Sequence, residues 1–225
     1  DGVTWRRIRR SYLNHWQPCG TWCGLKKAMV LANNVLSDPA SVSLWYYAEP
    51  MLFLHEPAPG INLLPLLRRS LDYWIDNEVG YFGHVNAFGH MFDLYVHSGA
   101  TLIIAARHYW FLSRDTEWLK AKIRKLHAMA DFLVRRDVDG DGLVESIHSG
   151  NAGGLREPDR ADVWFEMMHF GHKNSFTNAH TYRAFLYLAE MLEQVGHPKG
   201  AVYYRRLASK LAAAFVDQLL SSENG

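Results

Sequence analysis

Cysteine is nearly absent: Cys19 and Cys23 are all that 225 residues supply. The chain can therefore form at most one disulfide, a small-loop link between those two, or keep both as buried thiols, so the compartment is not legible here. Neither sign of charge is in excess. Lys and Arg total 24 against 23 Asp and Glu, a net charge of +1, so nothing draws the chain in bulk toward nucleic acid or an anionic membrane. No run of about 18 or more apolar residues appears, and without one no helix spans a bilayer. A secretory-signal pattern is missing too. So are a phosphate-cradling glycine loop, a Gly-x-Ser-x-Gly elbow, a paired Cys/His nucleophile and a convincing strand ladder. The sequence opens on Asp1 and closes on Ser-Ser-Glu-Asn-Gly225, so a piece excised from a longer chain is the expectation.

Aromatic residues are plentiful instead, with eight Trp, eleven Tyr and eleven Phe. Most belong to a core, but a sugar-binding cleft also uses such faces, which stack on the apolar side of sugar rings. Amphipathic helical spacing dominates the chain. Leu63, Leu67, Leu71, Trp74 and Ile75 share one helix face, as do Leu102, Ala106, Tyr109 and Trp110 in a helix with Ser98 as its N-cap. Only Ser113 and Arg114 separate that helix from the next. The latter starts at Asp115 and carries Leu119, Ile123, Leu126, Ala130 and Leu133, so the two form an antiparallel hairpin. A second hairpin follows. Tyr182, Phe185, Leu186, Ala189 and Leu192 line its first helix, which stops at Gly196, and Pro198 opens a partner bearing Val202, Leu207, Leu211, Ala214 and Phe215. Weaker helices over 22–36 and 41–56 bring the count to about seven. The expectation is an all-α domain over 1–225, of stacked antiparallel helical hairpins: a toroid, solenoid or bundle.

The long connection over 136–177 is where the chemistry is expected, because loops of that length between helices seldom serve only as connectors. Asp137-Val-Asp-Gly-Asp-Gly142 copies the first half of a calcium loop, with Asp137, Asp139 and Asp141 as ligands. Position twelve is His148 rather than the bidentate Glu, which favours a plain tight turn over a structural calcium. Downstream, Glu166 lies among Trp164, Phe165, Met167, Met168 and Phe170. A carboxyl so placed loses solvation and becomes a candidate general acid, with Asp162 beside it, unless it is simply an exposed Glu at a helix start. Glu166-x-x-His169, with His172 nearby, is also one arm of a helical di-metal site, but no second arm exists. Residues 80–93 combine three glycines with Tyr81, Asn86, Phe88, Asp93 and two histidines. That set can hold hydroxyls, and it can equally be a packed loop.

These segments together resemble a known group. A helix running into Asp-x-Asp-Gly-Asp-Gly-Leu-x-Glu-Ser, Val163-Trp-Phe-Glu166, Gly171-His-Lys-Asn-Ser-Phe-Thr-Asn178 and the Tyr-Arg-Ala-Phe helix are similar to the six-hairpin glycosidases. Glucoamylases, trehalases, processing α-glucosidases, debranching glucosidases and α-L-rhamnosidases belong to that group. The resemblance runs from about Ser98 to Phe215. It implies an (α/α)6 toroid, or a large part of one, since twelve helices complete the ring. It implies removal of a terminal sugar with inversion, Glu166 acting as proton donor and Asp162 as the alternate. Tyr81, Phe88, Trp164 and Phe165 would shape the sugar pocket, while Asn86, Asp93, His172, Lys173 and Asn178 would hold its hydroxyls. The substrate would be an oligosaccharide or glycoside, and no organic cofactor is implied. The catalytic base has no assigned residue. The alternative is a non-catalytic helical toroid that binds glycan or a protein partner.

Overall fold

The computed structural model describes residues 2–23, 28–31, 41, 44–88, 91–148 and 172–220. Among these run seven helices: α1 (Gly2–Cys19), α2 (Leu44–Leu54), α3 (Leu64–Asn77), α4 (Ser98–Ser113), α5 (Thr116–Val134), α6 (Ser175–Gln194) and α7 (Pro198–Leu219). Two short antiparallel hairpins join them, β1 (Gly20–Cys23) with β2 (Ala28–Leu31) and β3 (Asn86–Phe88) with β4 (Met91–Leu94). The fold is all-α, a stack of antiparallel helical hairpins.

Local chemistry sets the turns. Arg114 adopts a left-handed φ of 57° and its N–H caps α4 on the Trp110 carbonyl, after which the Asp115 carboxylate accepts from the Trp118 N–H at 2.9 Å to start α5. Gly196, at φ +82°, ends the α6 turn, and Pro198 opens α7, the usual division of labour between the two residues at helix ends.

Side-chain pairs reveal two layers. Trp45 and Glu49 of α2 meet His180 and Arg183 of α6, while His97 and Arg107, before and within α4, meet Phe176 and Glu190. Residue numbers rise together across both pairings, so α2, α4 and α6 run parallel. Asp72 and Asp76 of α3 pair in the same sense with Trp118 and Lys122 of α5, and α5 meets α7 through Asp131–Tyr204. The short turns make α5 antiparallel to α4 and α7 antiparallel to α6. The second layer therefore opposes the first, the alternation of a helical-hairpin toroid.

Helix α4 is the hub. It packs against α2, α3, α5 and α6, and every residue from 98 to 106 is buried. A helix apolar on all sides has to be enclosed by neighbours, and this one is. The core runs continuously from Leu31 to Leu211.

Three sequence expectations are corrected. Within 22–36, the described residues 22–23 and 28–31 belong to the β1–β2 hairpin, not to a helix. A short apolar run such as Ala28-Met-Val-Leu31 does not distinguish helix from strand by period, and docking decides it: β2 lies on α3, with the Leu31 N–H on Ser70 Oγ at 3.0 Å. Ser98 is not the N-cap of α4. Its N–H bonds Tyr95 O in a preceding turn, which pulls the helix start back to His97 and leaves Ser98 wholly buried in the first turn. Within α6 and α7 the buried faces are rotated slightly from those expected. Tyr182 is 39% exposed and Val202 66%, whereas Thr181, Leu188, Tyr204 and Ala208 are fully buried.

Candidate functional site

Because α2, α4 and α6 are parallel, their N-termini share one end of the molecule, and both polar loops arrive there. The connection over 78–97 enters α4, and the one over 135–174 enters α6.

The first loop is pinned to α5. Gly80 and Gly83 close a turn, with the Gly83 N–H on Gly80 O at 2.9 Å, and Arg135 donates to Phe82 O at 2.5 Å. Gly83 sits at φ +80°, and a β-carbon there would fall 1.9 Å from Ala128 O, so only glycine fits this contact. Tyr81 projects from the turn, 93% exposed, with its ring edge-on to Phe82 at 5.1 Å. Asn86, Phe88 and Asp93 lie on the β3–β4 hairpin, in a register of Asn86 opposite Leu94 and Phe88 opposite Met91.

The second loop has a tightly bonded base. Asp137 and Asp141 accept from the Gly142 and Leu143 N–H groups at 3.0 and 2.8 Å. The Glu145 carboxylate takes the Val138 and Asp139 N–H groups. The three aspartates offer oxygens within 4.8 Å of one another, a geometry suited to a cation. Two lysines meet that need: Lys173 bonds Asp139 and Asp141, and Lys210 bonds Asp137 at 2.9 Å. Slight burial opposes ionisation of Asp141, but Lys173 and the Leu143 N–H outweigh it and hold the carboxyl down at about 2. In turn Asp139 and Asp141 raise the Lys173 pKa. With Glu145 spent on backbone amides and ammonium groups against all three carboxylates, the donor set fits a lysine-neutralised turn better than a calcium loop.

Beneath this turn Leu143 and Val144 are buried. Asn178, with no exposure, accepts from the Val144 N–H at 2.7 Å and donates to Val144 O and Asn174 O. Its amide is fully used in holding the loop on α6. The Ser146 N–H bonds His172 O at 2.8 Å, so the two ends of the intervening stretch stand side by side. Asp162, Trp164, Phe165 and Glu166, with the Glu166-x-x-His169 arm, lie in that stretch, outside the described residues. His172 is exposed at its edge.

Across the three N-termini runs a row of rings of which the sequence marks only His180, as one of the histidines that gather near Glu166. His97 lies 5.7 Å from Phe176, Phe176 4.4 Å from His180, and His180 4.7 Å from Trp45. Burial lowers the His180 pKa against the opposing pull of the bond between its Nδ1 and Phe176 O, which at 2.8 Å fixes the ring's orientation. One turn further in, Arg183 grips Glu49 through two bonds of 2.8 and 2.9 Å over the buried His108, which burial and Arg183 push down to about 4. That three helices bring their rings together is tertiary information.

No protein-family profile and no curated protein matches the chain. Among solved structures, an α-L-rhamnosidase from Dictyoglumus thermophilum is similar to it, with a TM-score of 0.55 over 82% of this chain and 14% identity. The chain spans 20% of that protein's length. The fold is glycoside hydrolase-like. The ring row stands beside the ends of two polar loops, with Trp45, Phe176 and His180 partly exposed and His97 buried.

Proposed function

We propose that the chain is part of the catalytic domain of an exo-acting glycoside hydrolase, glucosidase- or rhamnosidase-like, that removes a terminal sugar with inversion. The observation that carries this reading is that the described parts of the 78–97 and 135–174 connections meet one end of the α2–α4–α6 layer, beside the His97–Phe176–His180–Trp45 rings. The likeness of fold to an α-L-rhamnosidase supports it.

In this reading Glu166, or Asp162 beside it, protonates the leaving oxygen, and a carboxylate on the opposite face of the sugar activates water. Inversion requires the two carboxyl groups about 6.5–9.5 Å apart. The loop base keeps the entry to the acid's segment fixed, since Ser146, His172 and Asn178 tie both ends to α6. Trp164, Phe165, Tyr81 and Phe88 supply pocket walls, and Asn86, Asp93, His172 and Lys173 the polar contacts.

The test is hydrolysis of a panel of aryl α- and β-glycosides and disaccharides by this chain and by the longer chain containing it, each beside Glu166→Gln. Turnover that falls by about 100-fold or more on substitution supports Glu166 as acid. Turnover unchanged by Glu166→Gln but lost in Asp162→Asn transfers the role. No turnover by any form, with glycan binding retained, overturns the enzyme reading in favour of a binding module.

A further inference from the structure

A cleft of about 430 Å³ opens between α5 and the α6–α7 turn, at the opposite end of the helices from the loops just described. Its lining is Ile123, Arg124, His127, Leu192, His197 and Gly200: two apolar side chains, an arginine, two imidazoles and no carboxylate.

His127 is supported from behind in two stages. Its Nδ1 lies 2.9 Å from Asp131 Oδ2, and the other oxygen of that carboxylate accepts from the hydroxyl of Tyr204, a fully buried side chain of α7, at 2.7 Å. A carboxylate on Nδ1 fixes which nitrogen carries the proton and leaves Nε2 for a ligand. The hydrogen bond that His127 donates to Asp131 also lifts the imidazole above its ordinary 6.5. Around it stand Asp131, Tyr204, Arg124 and His197, of which only Asp131 is anionic.

Arg124 is unusual among the cations of its helix. Lys120 pairs with Glu117, Lys122 with Asp72 and Asp76, and Lys125 bonds the Ile75 and Asp76 carbonyls. Arg124 has no such partner among the described residues. The carboxylates near the α6 C-terminus are engaged elsewhere, Glu190 with Arg107 and Glu193 with Arg205. The cleft thus places Arg124, a cation without a partner among the described residues, beside Ile123 and Leu192, with His127 backed by Asp131.

We propose that this cleft binds a small organic anion with an apolar body, such as an aryl or branched-alkyl phosphate or carboxylate. Its charged end is held by Arg124 and His127, and its body lies against Ile123 and Leu192. Arg124 offers a planar fork of donors that matches such oxyanions. The site stands independently of the glycosidase reading, because it shares no residue with the loops that carry that reading.

Titration of the chain with phenyl phosphate, inorganic phosphate and phenol, followed by the amide signals of Ile123 and Gly200 and the ring signals of His127, tests it. Phenyl phosphate is expected to give saturable shifts. In Arg124→Gln and His127→Gln its affinity drops by about tenfold each, the loss of one charge-assisted hydrogen bond, while helical circular dichroism is retained. Binding also weakens as pH rises through the raised pKa of His127. Absent or non-saturating shifts overturn the proposal, as does an affinity in either variant equal to that of wild type. Inorganic phosphate binding as tightly as phenyl phosphate overturns the apolar half of it.

Discussion

Asn178 shows how one side chain can settle a loop. Its amide satisfies both the N–H and the C=O of Val144, a residue 3% exposed, and returns a bond to its own helix at Asn174. Truncation to alanine strands those backbone groups out of reach of water, at a cost of about 1–3 kcal/mol for the buried donor alone. Asn178→Ala is therefore expected to lower stability by about 2–3 kcal/mol in chemical denaturation and to loosen the loop that delivers Glu166. A change near zero would mean that the 143–146 segment is held by Ser146 and His172 without it. The Asp131–His127 pair makes a second prediction, about pH. The hydrogen bond to Asp131 raises the His127 pKa, so its contribution is complete below 6.5 and fades as pH rises through the higher folded value. For Asp131 burial pushes upward, but His127 and Tyr204 prevail and lower the pKa. Its contribution is complete above 3.8 and fades as pH falls through the lower folded value. Between those limits the pair stabilises most. Both side chains are about two-fifths exposed, at 42% and 39%, so solvent keeps the effect modest. Denaturation of wild type and His127→Gln across pH should differ most between pH 4 and 6.5. Parallel curves at every pH would refute the coupling.

Helices and their turns were largely legible in the sequence because the signals were local. Asp115 caps α5, Gly196 and Pro198 divide α6 from α7, and Leu67, Leu71, Trp74 and Ile75 form the buried stripe of α3 as their spacing requires. The β1–β2 hairpin was not legible, since only its docking on α3 distinguishes it from a helix. Face assignments failed by about one position where a helix is buried broadly. In α6 the buried set includes Thr177, Asn178 and Thr181, polar residues that hydropathy patterns place outside, and their inclusion rotates the face away from Tyr182. Of the candidate site, the loops and their polar residues could be read, but the ring row and the lysines that neutralise Asp137, Asp139 and Asp141 depend on residues 32 to 135 positions apart. Rotation of the α6 face gives a paired prediction. Leu188, fully buried, should cost about 2–5 kcal/mol on truncation to alanine, and partly buried Leu186 clearly less. Equal losses would place the core face where hydropathy alone had put it.

At the scale of the whole molecule, stability is graded outward from α4. That helix touches four others and has no exposed residue between 98 and 106, so its amides cannot meet solvent until its neighbours separate. Helix α1 is held differently. Val3, Trp5 and Ile8 are each nearly half exposed, at 49%, 47% and 47%, and Arg9 anchors the helix by its bond to Pro57 O at 2.6 Å. Between α1 and α2 a groove of about 510 Å³, walled by Ile8, Tyr12, Tyr46 and Pro50, leaves apolar contact unmade. Few buried contacts along residues 2–12 mean a low free energy of local opening there, whereas an enclosed helix opens only with the fold. Native-state hydrogen exchange at increasing denaturant should therefore show α4 amides exchanging with the full denaturant dependence of global unfolding. The amides of α1 should exchange with little dependence, through fraying that leaves the α2–α4–α6 layer intact. Removal of residues 2–12 should then leave the α4 exchange rates within a few-fold of wild type. If α1 amides share the protection of α4, or the truncated chain loses it, the helix is a structural member of the core and the gradient proposed here is wrong.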